Sequence, residues 1–334
     1  MLNRRLLGGA ASLLALSLLS AGIPLASAGA AGNGTVVAKK LPASCGVKTP
    51  ILGVSLPDST NPYYVAMRQG FIQAAKANGM IAKVAIAGDS DITQLAQVES
   101  FIQQKVCAVA LNPNNSSPAV ADVKALNKAG IPVFTVNVLV DQPTMKRQKA
   151  SIVQFLGADQ VEGGRVMGQL ALKELGKHAK MVIGIVGYPT SVTTAQRDSG
   201  FLEALKSDGN VSVKAKVNGQ VDAGVSLQVT SSMLQGNPNM NVIYADTGPA
   251  TLGALKAVDQ LGRAKKISIY GFCAADTKVS GAYKACTAQQ PADYAKRVVE
   301  NVRAYLHGKA VLTTILRPVV VFKTGQTPGP GLLG

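Results

Sequence analysis

Residues able to do bond-making chemistry are few in this chain and widely spaced. Aspartates stand close to the ends of several apolar runs, at Asp58, Asp141, Asp246 and Asp276. Two carboxylates flanking a glycosidic bond could hydrolyse it, but no spacing here marks one as acid and another as base. The two histidines, His178 and His307, lie far apart, and there is no G-x-S-x-G elbow, which argues against a serine or cysteine triad. The first strand-to-helix turn carries neither G-x-G-x-x-G nor a Walker-type loop, so nothing there cradles a pyrophosphate. The four cysteines lack the spacing of a zinc cluster. Neither a cofactor nor a metal is expected, and the chain reads as a binder rather than an enzyme. One stretch does ask for an explanation. In S-T-N-P-Y-Y, Asn61 suits a helix N-cap and Pro62 the first helical position, which leaves Tyr63 and Tyr64 in the first turn, beside the mouth of a strand. Capping alone needs neither tyrosine.

The elements that must position such residues follow from the apolar pattern. From Ile51 onward, short apolar runs alternate with amphipathic segments: ILGVSL as a strand, a helix over 62–79, the strand IAKVAIA, and a helix whose Ile92, Leu95 and Val98 share one face. CAVALN is a further strand. It precedes a helix with Ser117 as cap, Pro118 at its first position and Gly130 at its end, and then the strand PVFTVNV. After the polar stretch DQPTMKRQKA the pattern restarts. Helices over about 159–176, 194–208, 224–235, 249–261 and 291–307 are interleaved with the strands MVIGIVG, VSVKAKV, NVIYAD, ISIYGF, ACTAQ and PVVVF. Repeated βα units specify an α/β fold with parallel sheets covered on both faces, here two doubly wound halves. Ligands of such sheets bind beyond the carboxyl ends of the strands. The loops at those ends, among them LNPNNSSP, VGYPTSVTTAQR and ADTGPA, are rich in amides and hydroxyls and suit a small, neutral, hydrogen-bonding molecule.

Composition sets the compartment. Arg4 and Arg5 precede an apolar segment that ends in Ala26-Ser27-Ala28, the pattern of a cleaved secretory signal over residues 1–28; the paired arginines also permit twin-arginine export. Removing that segment takes away two arginines and lowers the formal charge from +16 to +14. The remaining charge is scattered, without the clustered footprint of a nucleic-acid binder. In an exported protein four cysteines suggest disulfides, although they allow three pairings. Cys45 precedes the first strand and Cys107 opens a strand expected beside it. Cys273 and Cys286 flank a short segment and could join neighbouring strands. We favour Cys45–Cys107 and Cys273–Cys286; a free Cys273 would instead wall a pocket as a small apolar group.

Seven short motifs, in order, add a resemblance: N-P-Y-Y after the first strand, L-N-P after the third, A-D-x-x-x-G-G at Ala158–Gly164, R-D-S-G-F at Arg197–Phe201, L-G-A-L at Leu252–Leu255, G-F at Gly271-Phe272, and A-Q-x-P at Ala288–Pro291. With them the chain from about Ile51 to Val321 resembles the periplasmic sugar-binding proteins of bacterial import systems, of the ribose-binding type (type I periplasmic binding fold). The resemblance implies two lobes joined by three hinge crossings near residues 157, 290 and 316. The N-terminal lobe would comprise 29–157 plus 290–316, and the C-terminal lobe 158–289 plus 317–334. A ligand would be closed between them.

It further implies that Asn61 holds sugar hydroxyls and that Tyr63 and Tyr64 pack on the ring. An aromatic face covers the apolar C–H side of a sugar while amides and charges hold its hydroxyl edge. Asn112, Asn137, Arg197, Asp222, Thr247, Cys273 and Gln289 match the remaining ligand positions. Some of these depart from the family pattern. Ribose binders carry Asp-Arg where this chain has Asn137-Val138, an Asp at the place of Cys273, an Asn at that of Thr247, and an aromatic at that of Val221. Hydrogen bonds to charged groups are worth roughly 1.5–3 kcal/mol each, so an altered ligand is expected: a deoxy sugar, a polyol or another small polar metabolite. The expected partners are that ligand and an ABC permease with its ATPase. The protein would be periplasmic and a monomer, with no nucleic acid bound. A ligand-sensing partner of a chemoreceptor or sensor kinase is the alternative, and a carbohydrate-active enzyme a more distant one.

Overall fold

The structure, a computed structural model, describes residues 34–38, 40–206 and 210–334; the expected signal peptide over 1–28 lies outside the described residues. In chain order the elements are β1 (Thr35–Val36), a 3-10 turn (Ala43–Gly46), β2 (Ile51–Leu56), α1 (Pro62–Ala77), β3 (Ile81–Ile86), α2 (Asp91–Gln103), β4 (Ala108–Leu111), α3 (Ala119–Lys128), β5 (Val133–Val136), α4 (Gln142–Gln148), β6 (Gln154–Ala158) and α5 (Gln160–Leu175). They continue with β7 (Met181–Gly187), α6 (Val192–Leu205), β8 (Val211–Asn218), α7 (Ala223–Gly236), β9 (Val242–Ala245), α8 (Gly248–Gln260), β10 (Ser268–Phe272), β11 (Tyr283–Ala288), α9 (Pro291–Leu306), β12 (Val311–Leu312), β13 (Thr314–Arg317) and β14 (Val320–Lys323).

Two six-stranded sheets result, in the orders β3-β2-β4-β5-β6-β13 and β8-β7-β9-β10-β11-β14. All pairings in the first are parallel. The second differs from an all-parallel sheet at one edge, where β14 runs antiparallel to β11. The inner strands β4, β5, β7 and β9 are buried at every position, which is why they read as unbroken apolar runs. The edge strands β3 and β8 mix exposed and half-buried positions. The chain passes from one sheet to the other three times, after β6, after β11 and after β13. Helix α9 packs against α1 on the first sheet, and α5 packs against α6 on the second.

Three local expectations are corrected. The polar stretch after β5 is the short helix α4, capped by the Asp141 carboxylate on the Thr144 N–H at 2.9 Å. Two strands the apolar pattern did not single out, β6 and β13, lie side by side in the first sheet. Helix α3 starts at Ala119, with Pro118 rather than Ser117 before it and no side-chain cap. Both disulfides take the favoured pairing: Cys45–Cys107 and Cys273–Cys286, with Cα separations of 4.8 and 4.9 Å. The first ties the 3-10 turn to the start of β4; the second joins the end of β10 to β11. Cys273 therefore offers no thiol.

Candidate functional site

In each sheet the strand order reverses beside the first strand laid down, between β2 and β4 and between β7 and β9. Loops leaving the carboxyl ends on either side of such a switch point diverge and leave a crevice. The two crevices face one another, and four hydrogen bonds close their lips. The Tyr188 hydroxyl donates to Asn115 Oδ1 at 2.6 Å, and Thr190 Oγ1 to the same oxygen at 3.2 Å. The Val192 N–H donates to Ser116 Oγ at 3.0 Å, and the Leu139 N–H to Thr193 Oγ1 at 3.0 Å. Each bond pairs a residue after β4 or β5 with one after β7.

Behind the lips lies a cavity of about 90 Å³, walled from the first sheet by Asp58, Asn61, Tyr63, Tyr64, Asp89, Asn114, Asn137 and Val138 and from the second by Tyr188, Ser191, Thr193, Thr194, Arg197, Gln220, Val221 and Thr247. A second chamber of about 270 Å³ adjoins it. Asp58, Asn61, Tyr63, Asp89, Gln220 and Val221 line both, and Asp222, Pro249, Leu252, Cys273 and Leu333 line only the second. Together they reach the low end of small-molecule sites, roughly 300–1,000 Å³.

Most of the residues proposed from the sequence thus converge. Asn61, Tyr63, Tyr64, Asn137, Arg197 and Thr247 line the first chamber, and Asp222 and Cys273 the second. Asn112 and Gln289 line neither. Asn112 is fully buried behind the wall, its Nδ2 3.4 Å from Met67 Sδ and its Oδ1 without a partner. Gln289 sits at the second crossing, where its Oε1 lies 3.4 Å from the Tyr63 hydroxyl and accepts from Gln160 Nε2, also at 3.4 Å. Gln160, Asn114, Tyr188 and Thr193 were not singled out from the sequence. Tyr188 belongs to a loop at a strand end, and that position was its one available signal.

Local structure explains how the polar groups are presented. Asn61 caps α1 by accepting the Tyr63 N–H at 3.0 Å, which leaves its amide donor for the cavity. The Tyr63 and Tyr64 rings meet edge to face at 5.5 Å. Tyr63 turns its hydroxyl to Asn137 Oδ1 at 3.0 Å. Asn137 adopts φ 64° and Val221 φ 55°. A β-branched residue in that left-handed region is a genuine outlier, and such strain gathers at ligand clamps.

Among the described residues, Arg197 is the one cationic side chain in the walls of these two chambers. It reaches them because α5 and α6 touch through glycines. A Cβ at Gly164 would strike the Arg197 carbonyl, and one at Gly200 the Val161 carbonyl. Its Nε donates to Gln160 Oε1 and its Nη1 to the Asp246 carbonyl, both at 2.7 Å, and its guanidinium lies 3.7 Å from the centre of the Phe272 ring. Burial lowers its pKa, opposed by the nearby Asp246 carboxyl. Burial also pushes Asp246 up to about 8, helped by Asp198 and opposed by Arg197. One Asp246 oxygen accepts the Tyr188 N–H at 3.1 Å; the other has no partner. At the rim, burial works to raise Asp58, but the Thr60 and Asn61 N–H groups outweigh it and hold its pKa below the usual range. Asp89 is raised by burial and then by the charges of Asp58 and Asp222. No group of three or more His, Cys, Asp or Glu among the described residues could hold a metal.

Known proteins place this geometry. The profile of a family described as "Periplasmic binding protein domain" matches residues 52–310. The ribose import binding protein of Bacillus subtilis is 32% identical over 276 residues, covering 80% of this chain and 85% of that protein. A Mycobacterium smegmatis structure in complex with β-D-fucofuranose superposes with a TM-score of 0.75 at 23% identity, covering 83% of this chain and 92% of that one. An ABC transporter solute-binding protein from Bacillus halodurans with bound myo-inositol gives 0.74 at 19%, covering 83% and 96%. The two structures share the fold.

Proposed function

Since the chain belongs to the periplasmic binding protein family, we propose that it is an exported solute-binding protein, periplasmic and without catalytic activity. It closes two lobes on one small, sugar-like or polyol ligand and hands it to the permease of an ABC importer. One observation carries this reading. Loops from both sheets meet on a shared cavity lined by tyrosine rings, amides, hydroxyls, the carboxyls of Asp58 and Asp89 and the buried Arg197. Such a surface can cover the C–H side of a sugar ring and satisfy its hydroxyls.

The ligand itself differs from an ordinary pentose in this proposal. Asn137 and Val138 replace a charged pair, and Cys273 is locked in a disulfide, so the charge-assisted hydrogen bonds left to the two chambers are those of Arg197 and of the carboxyls Asp58, Asp89 and Asp222. The test is a thermal-shift screen of the purified protein against D-ribose, D-allose, deoxy sugars and myo-inositol, because a ligand that binds only the folded state raises the melting temperature. At least one deoxy sugar or polyol should shift it more than D-ribose does, and should be recovered chemically unchanged. Silence across the panel, or turnover of the sugar, overturns the proposal; D-ribose as the strongest binder overturns the ligand assignment.

A further inference from the structure

After its third passage between the sheets the chain does not leave the molecule. It runs from β14 back to the hinge. Its first contacts are with the second sheet's side: the Val279 N–H donates to the Gln326 carbonyl at 2.9 Å, and the Gly325 N–H to the Val279 carbonyl at 2.8 Å. The Gln289 N–H donates to the Leu333 carbonyl at 2.6 Å, and the Leu333 N–H returns to the Gln289 carbonyl at 3.0 Å, an antiparallel bridge laid directly on the second crossing. The Gly334 N–H donates to the Cys273 carbonyl at 3.1 Å.

The side chains divide between the lobes. Leu332 packs against the apolar cluster of the second sheet, formed by residues such as Ile243, Ile269 and Cys286. Leu333 is buried in the cluster of the first sheet, with Leu52, Met67 and Val298. Consecutive leucines are therefore anchored in opposite lobes. The fit at the end of the segment is close: a Cβ at Gly334 would strike the Cys273 nitrogen, and one at Gly248 would come within 3.0 Å of the Gly334 carbonyl. Leu333 and Gly334 also wall the second chamber.

We propose that residues 331–334 are a fourth, non-covalent crossing of the hinge, a strap that limits how far the lobes part. Three covalent crossings act as pivots, and a pivot resists rotation weakly. The strap is different. It lies across the pivot with one leucine in each apolar cluster, so wide opening must either draw Leu333 out of the first cluster or break the bridge to Gln289. The strap therefore keeps open forms rare in the unliganded protein, and the second chamber should keep its wall while Leu333 stays seated.

The inference rests on the capture reading only in that the lobes must separate, and its test uses no ligand. The probes are the Leu139 and Val192 amides, which are hydrogen-bonded across the lips and not to the strap. Hydrogen exchange is followed in the unliganded full chain, in a variant lacking residues 331–334, and in Leu333→Ala, which keeps the backbone bridge. Exchange at both amides should speed up by about tenfold on deletion and by less in Leu333→Ala, because exchange tracks the population of the open form. The Val54 and Val109 amides, in the middle of β2 and β4, should not change. Equal exchange at Leu139 and Val192 in the wild type and the deletion, whether slow or fast in both, overturns the strap. If the deletion variant fails to fold, Leu333→Ala decides in the same way.

Discussion

At the scale of single residues the site is governed by one buried cation and the carboxyl beside it. Asp246 has its pKa raised from 3.8 to about 8, chiefly by burial. A carboxyl raised on folding favours the folded state most when both states are protonated, below the unfolded value. That contribution is lost as pH rises through the folded value. Stability should therefore fall between about pH 4 and pH 8 in urea titrations, and Asp246→Asn should flatten that part of the profile; an unchanged slope would contradict the assignment. Asp122, raised to about 7 by burial, adds a similar trend, so the difference between the two proteins is the quantity to read. Tyr188 tests the lips. Removing its hydroxyl in Tyr188→Phe deletes a bond made only when the lobes meet, worth roughly 0.5–1.5 kcal/mol. Ligand affinity measured by calorimetry should drop severalfold, up to about tenfold, with little change in the stability of the unliganded protein.

Part of this was legible beforehand, and the remainder shows what a linear reading misses. The N-P-Y-Y stretch marked Asn61, Tyr63 and Tyr64 because a cap and a first turn are local features. Arg197 emerged from a motif whose glycine, Gly200, lets the two helix backbones touch. Asn112, matched to a ligand position by the resemblance, lines neither chamber here; a motif shows that a residue follows a strand, but not which side of the loop backbone it leaves from. The side chain that reaches the cavity from that loop is Asn114, two positions later. Gln160 was invisible because its role is to bridge Arg197 and Gln289, partners that lie far from it in sequence and meet it only in the tertiary fold.

Among the elements, the helices stood out and two strands did not. Strand β6 carries Gln154, 1% exposed, and Gly157 in only five residues. Its Gln154 Nε2 donates to the Leu312 carbonyl at 2.7 Å, a partner more than 150 residues away in sequence, while its Oε1 finds none. Strand β13 is a short edge with half-exposed positions. Both needed the tertiary fold to become strands. The contact of α5 with α6 yields a direct test. Gly200→Ala places a methyl group against the Val161 carbonyl, and overpacking of this kind costs about 1–3 kcal/mol. Stability should fall by that amount, and ligand affinity with it, because Arg197 sits one turn earlier on the same helix. The disulfides give a second. Closing 62 residues should stabilise by about 4 kcal/mol and closing 13 by about 3 in the chain-entropy account. Replacing Cys45 and Cys107 by alanine should lower the urea midpoint more than replacing Cys273 and Cys286, and the reverse order would contradict it.

For the whole molecule, the account is of two sheets whose switch points face each other across a hinge, so that neither half alone builds a complete site. The chain has 8 tyrosines and no tryptophan, and Tyr63, Tyr64 and Tyr188 line the cavity. Intrinsic tyrosine fluorescence should therefore report closure without a label, changing in proportion to ligand occupancy. The fold had been foreseen in outline from alternating strands and helices. The lips, the strap and the second chamber had not, because each joins residues that the sequence keeps far apart. The most direct measurement is a crystal structure of the protein with whichever sugar or polyol stabilises it most. The account predicts one molecule per chain, enclosed between the two sheets, with Asn61 and Arg197 on its hydroxyl groups and a tyrosine face against its ring. A molecule held by one sheet alone, or bound outside the cleft, would contradict it.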